Sequence, residues 1–301
     1  MPREVVAVSK PNRISVVLIF LSILSVVPGI LAQNATDFIV KIPVADMHSA
    51  PSEDSDVVSQ AVLSSDVTAL EVIGAWAKVR TSDQYTGWIP LNAMVPKPGA
   101  GVYSGSGSMA QVTSMFAHIY RETDVTKHQP LITAPFESRL AVADEMKADA
   151  RWLKIQLPDG AIGYVQRGDV TLSPKTLTIP ESIDLAKHFL GLPYTWGGSS
   201  SYGFDCSGFT QMLVRNRGII MPRDADLQAA WTGVVQIKRD ELKPGDLLFF
   251  GSGPDHITHT GMYIGNGEFI HATTHDHPVV QISRLDDQPW TRILVATRRV
   301  K

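Results

Sequence analysis

Gly203-Phe204-Asp205-Cys206-Ser207-Gly208-Phe209-Thr210 holds the single cysteine of a 301-residue chain, and its reading decides how the C-terminal part folds. One cysteine cannot close an intrachain disulfide, so it is either a small apolar filler or a nucleophile. Upstream, Pro193-Tyr194-Thr195-Trp196-Gly197-Gly198-Ser199-Ser200-Ser201 is a glycine- and serine-rich loop. Downstream, Phe209, Met212 and Leu213 recur at helical spacing. Cys206 therefore stands where a loop becomes a helix, and the unpaired amides and dipole of a helix N-terminus favour negative charge there. The expectation is a thiol of lowered pKa between two polar neighbours, Asp205 and Ser207.

Beyond Cys206 the pattern changes from helices to strands. Leu247-Leu248-Phe249-Phe250, entered through Pro244-Gly245-Asp246, reads as a buried strand. His259-Thr260-Gly261-Met262-Tyr263-Ile264-Gly265 and Glu268-Phe269-Ile270-His271-Ala272 read as two more, joined at Gly265-Asn266-Gly267, a hairpin signal. Val279–Ile282 and Ile293–Ala296 complete an antiparallel sheet, and upstream Pro180-Glu181-Ser182 opens a helix carrying Ile183, Leu185, Ala186, Phe189 and Leu190. This is an α+β layout. A thiolate nucleophile needs a base, and the base needs a third group to fix its ring. Counted outward from Asn266, His259 and His271 lie across from each other on one sheet face, so Cys206, His259 and His271 can converge. His256 with His259 and His275 with His277 lack a third ligand at defined spacing, so no metal and no cofactor is expected. His48, His118, His128, His188, His256, His275 and His277 are read as ordinary surface or core histidines.

The first half is different. Between Phe38 and Pro96 short apolar runs alternate with turn formers, which argues a small β-barrel. A weak internal repeat follows: Ala75-Trp76-Ala77-Lys78-Val79 with Gly87-Trp88-Ile89 aligns with Arg151-Trp152-Leu153-Lys154-Ile155 with Gly163-Tyr164-Val165, the two aromatics 12 residues apart in each copy. Residues 38–96 and 112–172 are the expected barrels, with the Pro-, Gly- and Ser-rich 97–111 as linker and 180–301 as the third domain.

Composition excludes little and is ordinary for a globular chain, with 44% hydrophobic and 19% charged residues. A net charge of −3 without a basic cluster gives no reason to expect nucleic acid. Arg3, Lys10 and Arg13 precede the apolar Ile14–Val27, then Pro28-Gly29-Ile30-Leu31-Ala32. That order reads as a secretory signal over 1–32, cleaved after Ala32. A retained membrane anchor is the competing reading. The protein is expected to be periplasmic or secreted, without stable membrane insertion once the signal is removed; the sequence leaves its oligomeric state open.

Five motifs now stand in order: Pro193–Gly198, Phe204–Phe209, Leu242–Phe250, His259–Gly265 and Phe269–Ala272. Together they resemble the NlpC-type cell-wall cysteine peptidases, a papain-like group, over about Pro180 to Lys301. Gly-Trp-Ile and Gly-Tyr-Val resemble the strand ends of bacterial SH3-like barrels. Two such barrels ahead of such a domain resemble the subgroup that cuts γ-D-glutamyl to diamino-acid bonds in peptidoglycan stem peptides. The resemblance implies Cys206 as nucleophile, His259 as base and His271 as the group orienting it. It implies Asp205 and Ser207 at the free amine of an N-terminal L-alanine, where a carboxylate suits an ammonium. Arg223 would meet the D-glutamate carboxylate, and Ala225 stands where that subgroup often has serine. Tyr194 and Trp196 would line the cleft, with the Tyr194 hydroxyl and the Cys206 amide as oxyanion donors. Tyr85 and Asp56 of the first barrel would close the amine end. A cysteine amidase or acyltransferase of the same fold, or an inert peptidoglycan-binding protein, are the alternatives.

Overall fold

The structure is a computed structural model that describes residues 36–301 other than 101, 102, 104, 106, 145, 146, 148 and 149. The expected signal over 1–32 lies outside the described residues. Among the described residues no helix is long and apolar enough to cross a membrane.

Seven strands form a first antiparallel sheet: β1 (Thr36–Val40), β2 (Val44–His48), β3 (Val57–Val62), β4 (Asp66–Ile73), β5 (Trp76–Arg80), β6 (Thr86–Pro90) and β7 (Met94–Pro96), in the order β3-β2-β6-β5-β4-β1-β7. Seven more form a second: β8 (Met109–Val112), β9 (Phe116–Tyr120), β10 (Ile132–Pro135), β11 (Arg139–Asp144), β12 (Trp152–Gln156), β13 (Ile162–Gln166) and β14 (Val170–Thr171), in the order β10-β9-β13-β12-β11-β8-β14. The two orders are the same, offset by seven strands. The repeat seen in the sequence is the matching hairpin of each sheet. Val79 pairs with Gly87 in one and Ile155 with Gly163 in the other, while Ala77, Val79, Ile89 and Leu153, Ile155, Val165 are fully buried. The second sheet starts at Met109, three residues inside the stretch read as linker. Tyr103 of that stretch is also anchored: its hydroxyl donates to Gln156 O at 2.8 Å and lies 3.3 Å from Ser64 Oγ.

The remaining chain builds α1 (Ile179–His188), the short β15 (Ser199–Ser200) and β16 (Gly203–Phe204), α2 (Cys206–Arg215), α3 (Ala225–Ala230), β17 (Val234–Gln236), β18 (Leu247–Gly253), β19 (His256–Gly265), β20 (Glu268–Thr273), β21 (Val279–Arg284), α4 (Trp290–Ile293) and β22 (Leu294–Val300). A capping box starts α1: Thr178 Oγ1 accepts from the Glu181 amide at 3.4 Å and the Glu181 carboxylate accepts from the Thr178 amide at 2.8 Å. Ile183 and Ala186 point inward and Phe189 is fully buried, whereas Leu190, assigned to the same face from the sequence, is 45% exposed because the helix has ended. The six-stranded antiparallel sheet runs β17-β22-β18-β19-β20-β21. Helix α2 is buried from Cys206 through Val214, its Phe209, Met212 and Leu213 joining Phe249, Met262 and Ile270 of the sheet in one core. The helix is therefore buried all round, and its polar residues Ser207, Thr210 and Gln211 are hydrogen-bonded inside the protein, to Arg223, Gln228 and the Met221 carbonyl.

Both seven-stranded sheets dock on this α+β unit through polar contacts. The serine-rich loop is the joint: the Ser199 amide and Ser200 hydroxyl donate to Gln60 Oε1, at 3.1 and 2.9 Å, and Ser201 Oγ bridges Met115 O at 2.6 Å and the Phe136 amide at 3.0 Å. Arg215 of α2 forks onto Glu137 of the second sheet, with Nη2 donating to Oε2 at 2.6 Å and Nε to Oε1 at 3.1 Å.

Candidate active site

Asp205 caps α2, its Oδ1 accepting from the Gly208 amide at 2.7 Å, and Cys206 is the first helical residue. Gly208 is required here, because a Cβ on it would collide with Gly198 O of the preceding loop. Helix and loop are thus locked together beside the thiol, which is 8% exposed. The backbone amides of Thr260 and Ser207 favour the anionic form of the sulfur. Burial outweighs them: desolvation, helped by the Asp205 charge, pushes the Cys206 thiol up to about 12. The sequence-based expectation of a lowered thiol pKa is therefore corrected. The helix dipole is present, but removal from water is the larger effect.

Thr260, whose amide favours the Cys206 anion, directly follows His259 on β19. His259 Nε2 lies 2.7 Å from His271 Nδ1, and His271 Nε2 lies 3.0 Å from Ser283 Oγ of β21. The two histidines share a face but are not directly opposite, as counting from the turn had implied. Met262 pairs with Ile270, which places Gly261 opposite His271 and His259 on the diagonal. A Cβ on Gly261 would stand 3.0 Å from His271 Cβ and 2.9 Å from Phe269 Cδ2. The absence of a side chain at Gly261 is what lets the rings meet. Trp290 covers the pair, 5.3 Å from the His259 ring and 4.8 Å from that of His271. His275, read from the sequence as ordinary, packs on the same indole at 5.3 Å. Burial, with His275 nearby, pulls His259 down to about 3, and burial with His259 and His275 also lowers His271. Both imidazoles are neutral near neutral pH.

Arg223 is the second focus. Its Nη1 and Nη2 form a bidentate pair with Asp205, at 3.0 and 2.6 Å. Nη1 also donates to Ser207 Oγ at 2.8 Å, Nη2 to Gly198 O at 3.3 Å, and Nε to Ser59 Oγ of the first sheet at 3.2 Å. A guanidinium has five N–H donors, and all five are used inside the protein. In this arrangement Arg223 holds Asp205 and Ser207 in place and offers no donor to a ligand carboxylate. Tyr85 does reach this region from the first sheet, donating to Asp224 Oδ1 at 3.3 Å, and its phenol is pushed up to about 12 by burial and the Asp224 charge. Asp83 accepts from Gln211 Nε2 at 2.8 Å nearby. Burial, with the Cys206 and Asp205 charges, raises the Tyr194 phenol, while Trp196 is 71% exposed. Asp56 is exposed. Its neighbour Val57 lies against Gly197, with Val57 O 2.5 Å from where a Cβ would be.

The sequence reading missed Ser283, Trp290, Asp224 and Ser59. Asp224 stands between Arg223 and Ala225 but was given no role of its own, and the other three sit in no motif. A cavity of about 510 Å³ lined by residues of all three parts, among them Gln60, Asp83, Glu137 and Arg215, includes none of Cys206, His259 and His271 and is distinct from the thiol cleft. Among the described residues no group of three or more His, Cys, Asp or Glu side chains could hold a metal ion.

A cysteine at a helix start against a sheet that carries a paired imidazole is the arrangement of the papain-like cysteine peptidases. Residues 191–299 match the NlpC/P60 family and residues 47–94 the bacterial dipeptidyl-peptidase Sh3 domain. The chain thus carries a cysteine-peptidase domain of the NlpC/P60 family behind a bacterial SH3 domain. It is similar to a γ-D-glutamyl-L-lysine dipeptidyl-peptidase of Bacillus cereus, 32% identical over 229 residues, 71% of this chain and 66% of that protein. It is also similar to one of Bacillus subtilis, 39% identical over 140 residues, 45% of this chain and 46% of that one. The chain therefore spans about half to two thirds of the length of these relatives. The crystal structure of an NlpC/P60 family protein from Bacillus cereus superposes with a TM-score of 0.76 at 25% identity, covering 88% of this chain and 99% of that one.

Proposed function

We propose that this protein is a peptidoglycan endopeptidase that hydrolyses the bond between the γ-carboxyl of D-glutamate and the diamino acid, diaminopimelate or lysine, of stem peptides bearing a free N-terminal L-alanine. The observation that carries this reading is Cys206 at the first turn of α2, its anion favoured by the amide that follows His259, with His259 Nε2 tied to His271 at 2.7 Å. Because thiol and imidazole are both neutral at rest, the proton passes from sulfur to His259 Nδ1 as sulfur attacks the carbonyl carbon. The Cys206 amide and the Tyr194 hydroxyl receive the developing oxyanion. The His259 imidazolium then protonates the departing amine, and water, giving its proton back to His259, hydrolyses the thioester.

The free-amine preference is supported by the Tyr85–Asp224 pair, which brings the first sheet to the Arg223 cluster, and by the carboxylates Asp205 and Asp224 there. We infer that Asp205, Ser207 and Arg223 act as one unit, with Arg223 orienting the other two, and that Tyr194, Trp196, Tyr85 and Asp56 border the substrate groove. The domains are read as 38–96, 112–172 and 180–301, the second being a further SH3-like copy, a reading supported by the shared strand order of the two sheets. A place outside the cytoplasm, periplasmic or secreted, follows from the substrate. Mass spectrometry of products from L-Ala-γ-D-Glu-diaminopimelate, free or with its amine blocked by N-acetylmuramate, tests this reading. Release of diaminopimelate from the free peptide only is expected; equal rates on both would overturn the amine preference, and no release from either would overturn the bond assignment.

A further inference from the structure

We propose that Ser283 is a positioning residue that sets the tautomer of the histidine pair. The inference rests on the reading of His259 as the base. In the 2.7 Å contact between His259 Nε2 and His271 Nδ1 one nitrogen donates and the other accepts. For His259 to take the thiol proton its Nδ1 must be bare, so its own proton sits on Nε2 and points at His271. His271 Nδ1 is then the acceptor, and the His271 proton is on Nε2, 3.0 Å from Ser283 Oγ, which accepts it.

The opposite arrangement runs the chain backwards. Ser283 donates to His271 Nε2, His271 Nδ1–H donates to His259 Nε2, and His259 carries its proton on Nδ1, where it blocks the transfer from sulfur. His271 is fully buried, so its Nε2–H has no water to turn to, and Ser283 Oγ is its one hydrogen-bond partner among the described residues. An orphaned buried N–H is costlier than an acceptor lacking a donor. Removing the hydroxyl therefore penalises the productive tautomer more than the unproductive one. Ser283 lies on β21, opposite Phe269 of β20, and is partly exposed, so its hydroxyl is not needed for core packing.

The test uses the full chain, wild type, Ser283→Ala and Ser283→Thr. With the L-Ala-γ-D-Glu-diaminopimelate substrate, Ser283→Ala is expected to lower kcat by about tenfold to a hundredfold with KM unchanged, and Ser283→Thr, which keeps the hydroxyl, to restore it. Imidazole ¹⁵N NMR of histidine-labelled protein reads the tautomer directly: Nε2–H at His271 in the wild type and in Ser283→Thr, and a shift towards Nδ1–H in Ser283→Ala. A wild-type kcat in Ser283→Ala, or an unchanged His271 tautomer, overturns the proposal. Should the wild type itself release no product, the peptidase reading fails while the NMR result still decides the tautomer relay.

Discussion

Replacing Arg223 by methionine removes a guanidinium whose side chain is 1% exposed and whose five donors are all satisfied internally. Asp205, 8% exposed, would be left with the Gly208 amide and the Ser207 hydroxyl as its hydrogen-bond donors. Breaking a buried ion pair from one side costs about 3–5 kcal/mol, mostly the uncompensated charge that remains. Asp205→Asn removes that charge and keeps an N-cap for α2, since asparagine caps as well as aspartate. The double variant should therefore lose less than the sum of the singles, with a coupling of about 2–3 kcal/mol. Urea unfolding of the four proteins gives these values from the shifts in midpoint at constant slope. An Arg223→Met variant that loses under about 1 kcal/mol while its KM rises sharply would refute the reasoning and return Arg223 to direct substrate binding.

Gly261→Ala places a methyl group 3.0 Å from His271 Cβ and 2.9 Å from the Phe269 ring. The imidazole pair must shift, so kcat should fall about a hundredfold in steady-state assays while the protein stays folded by circular dichroism. A thiol raised to about 12 is protonated throughout the neutral range, and a raised acid pKa means that its reactive anion grows as pH rises. Iodoacetamide labelling of the unliganded protein should therefore accelerate about tenfold per pH unit from neutral to alkaline pH. A flat, fast rate across that range would instead mean a preformed thiolate–imidazolium pair.

Local chemistry made parts of the site legible. The glycine-rich loop running into Phe209, Met212 and Leu213 locates the start of α2, and the turn at Asn266 places His259 and His271 on adjacent strands. Geometry beyond one hairpin was less accessible. The diagonal pairing depends on register, and the space for it comes from Gly261, which the sequence shows only as a glycine in a strand. The pKa of Cys206 was misjudged because helix position is written in the sequence and burial is not. Ser59 and Ser283 reach the site from another sheet and from an edge strand, with no spacing to tie them to Cys206. Ser199–Ser201 has the composition of a flexible loop, yet its hydroxyls and amides join the α+β unit to both sheets. Val234–Gln236 was too short to register as a strand, although it completes the sheet edge against β22.

Cys206→Ala is the most direct trial of the account, because it deletes the one thiol of the chain. Purified variant and wild type are to be incubated with L-Ala-γ-D-Glu-diaminopimelate, quenched in acid and analysed by mass spectrometry. The wild type should release diaminopimelate and carry an alanyl-glutamyl thioester on the peptide containing Cys206, and the variant should show neither while unfolding like the wild type. Continued release of diaminopimelate by the Cys206→Ala protein would contradict the assignment of Cys206 as the nucleophile.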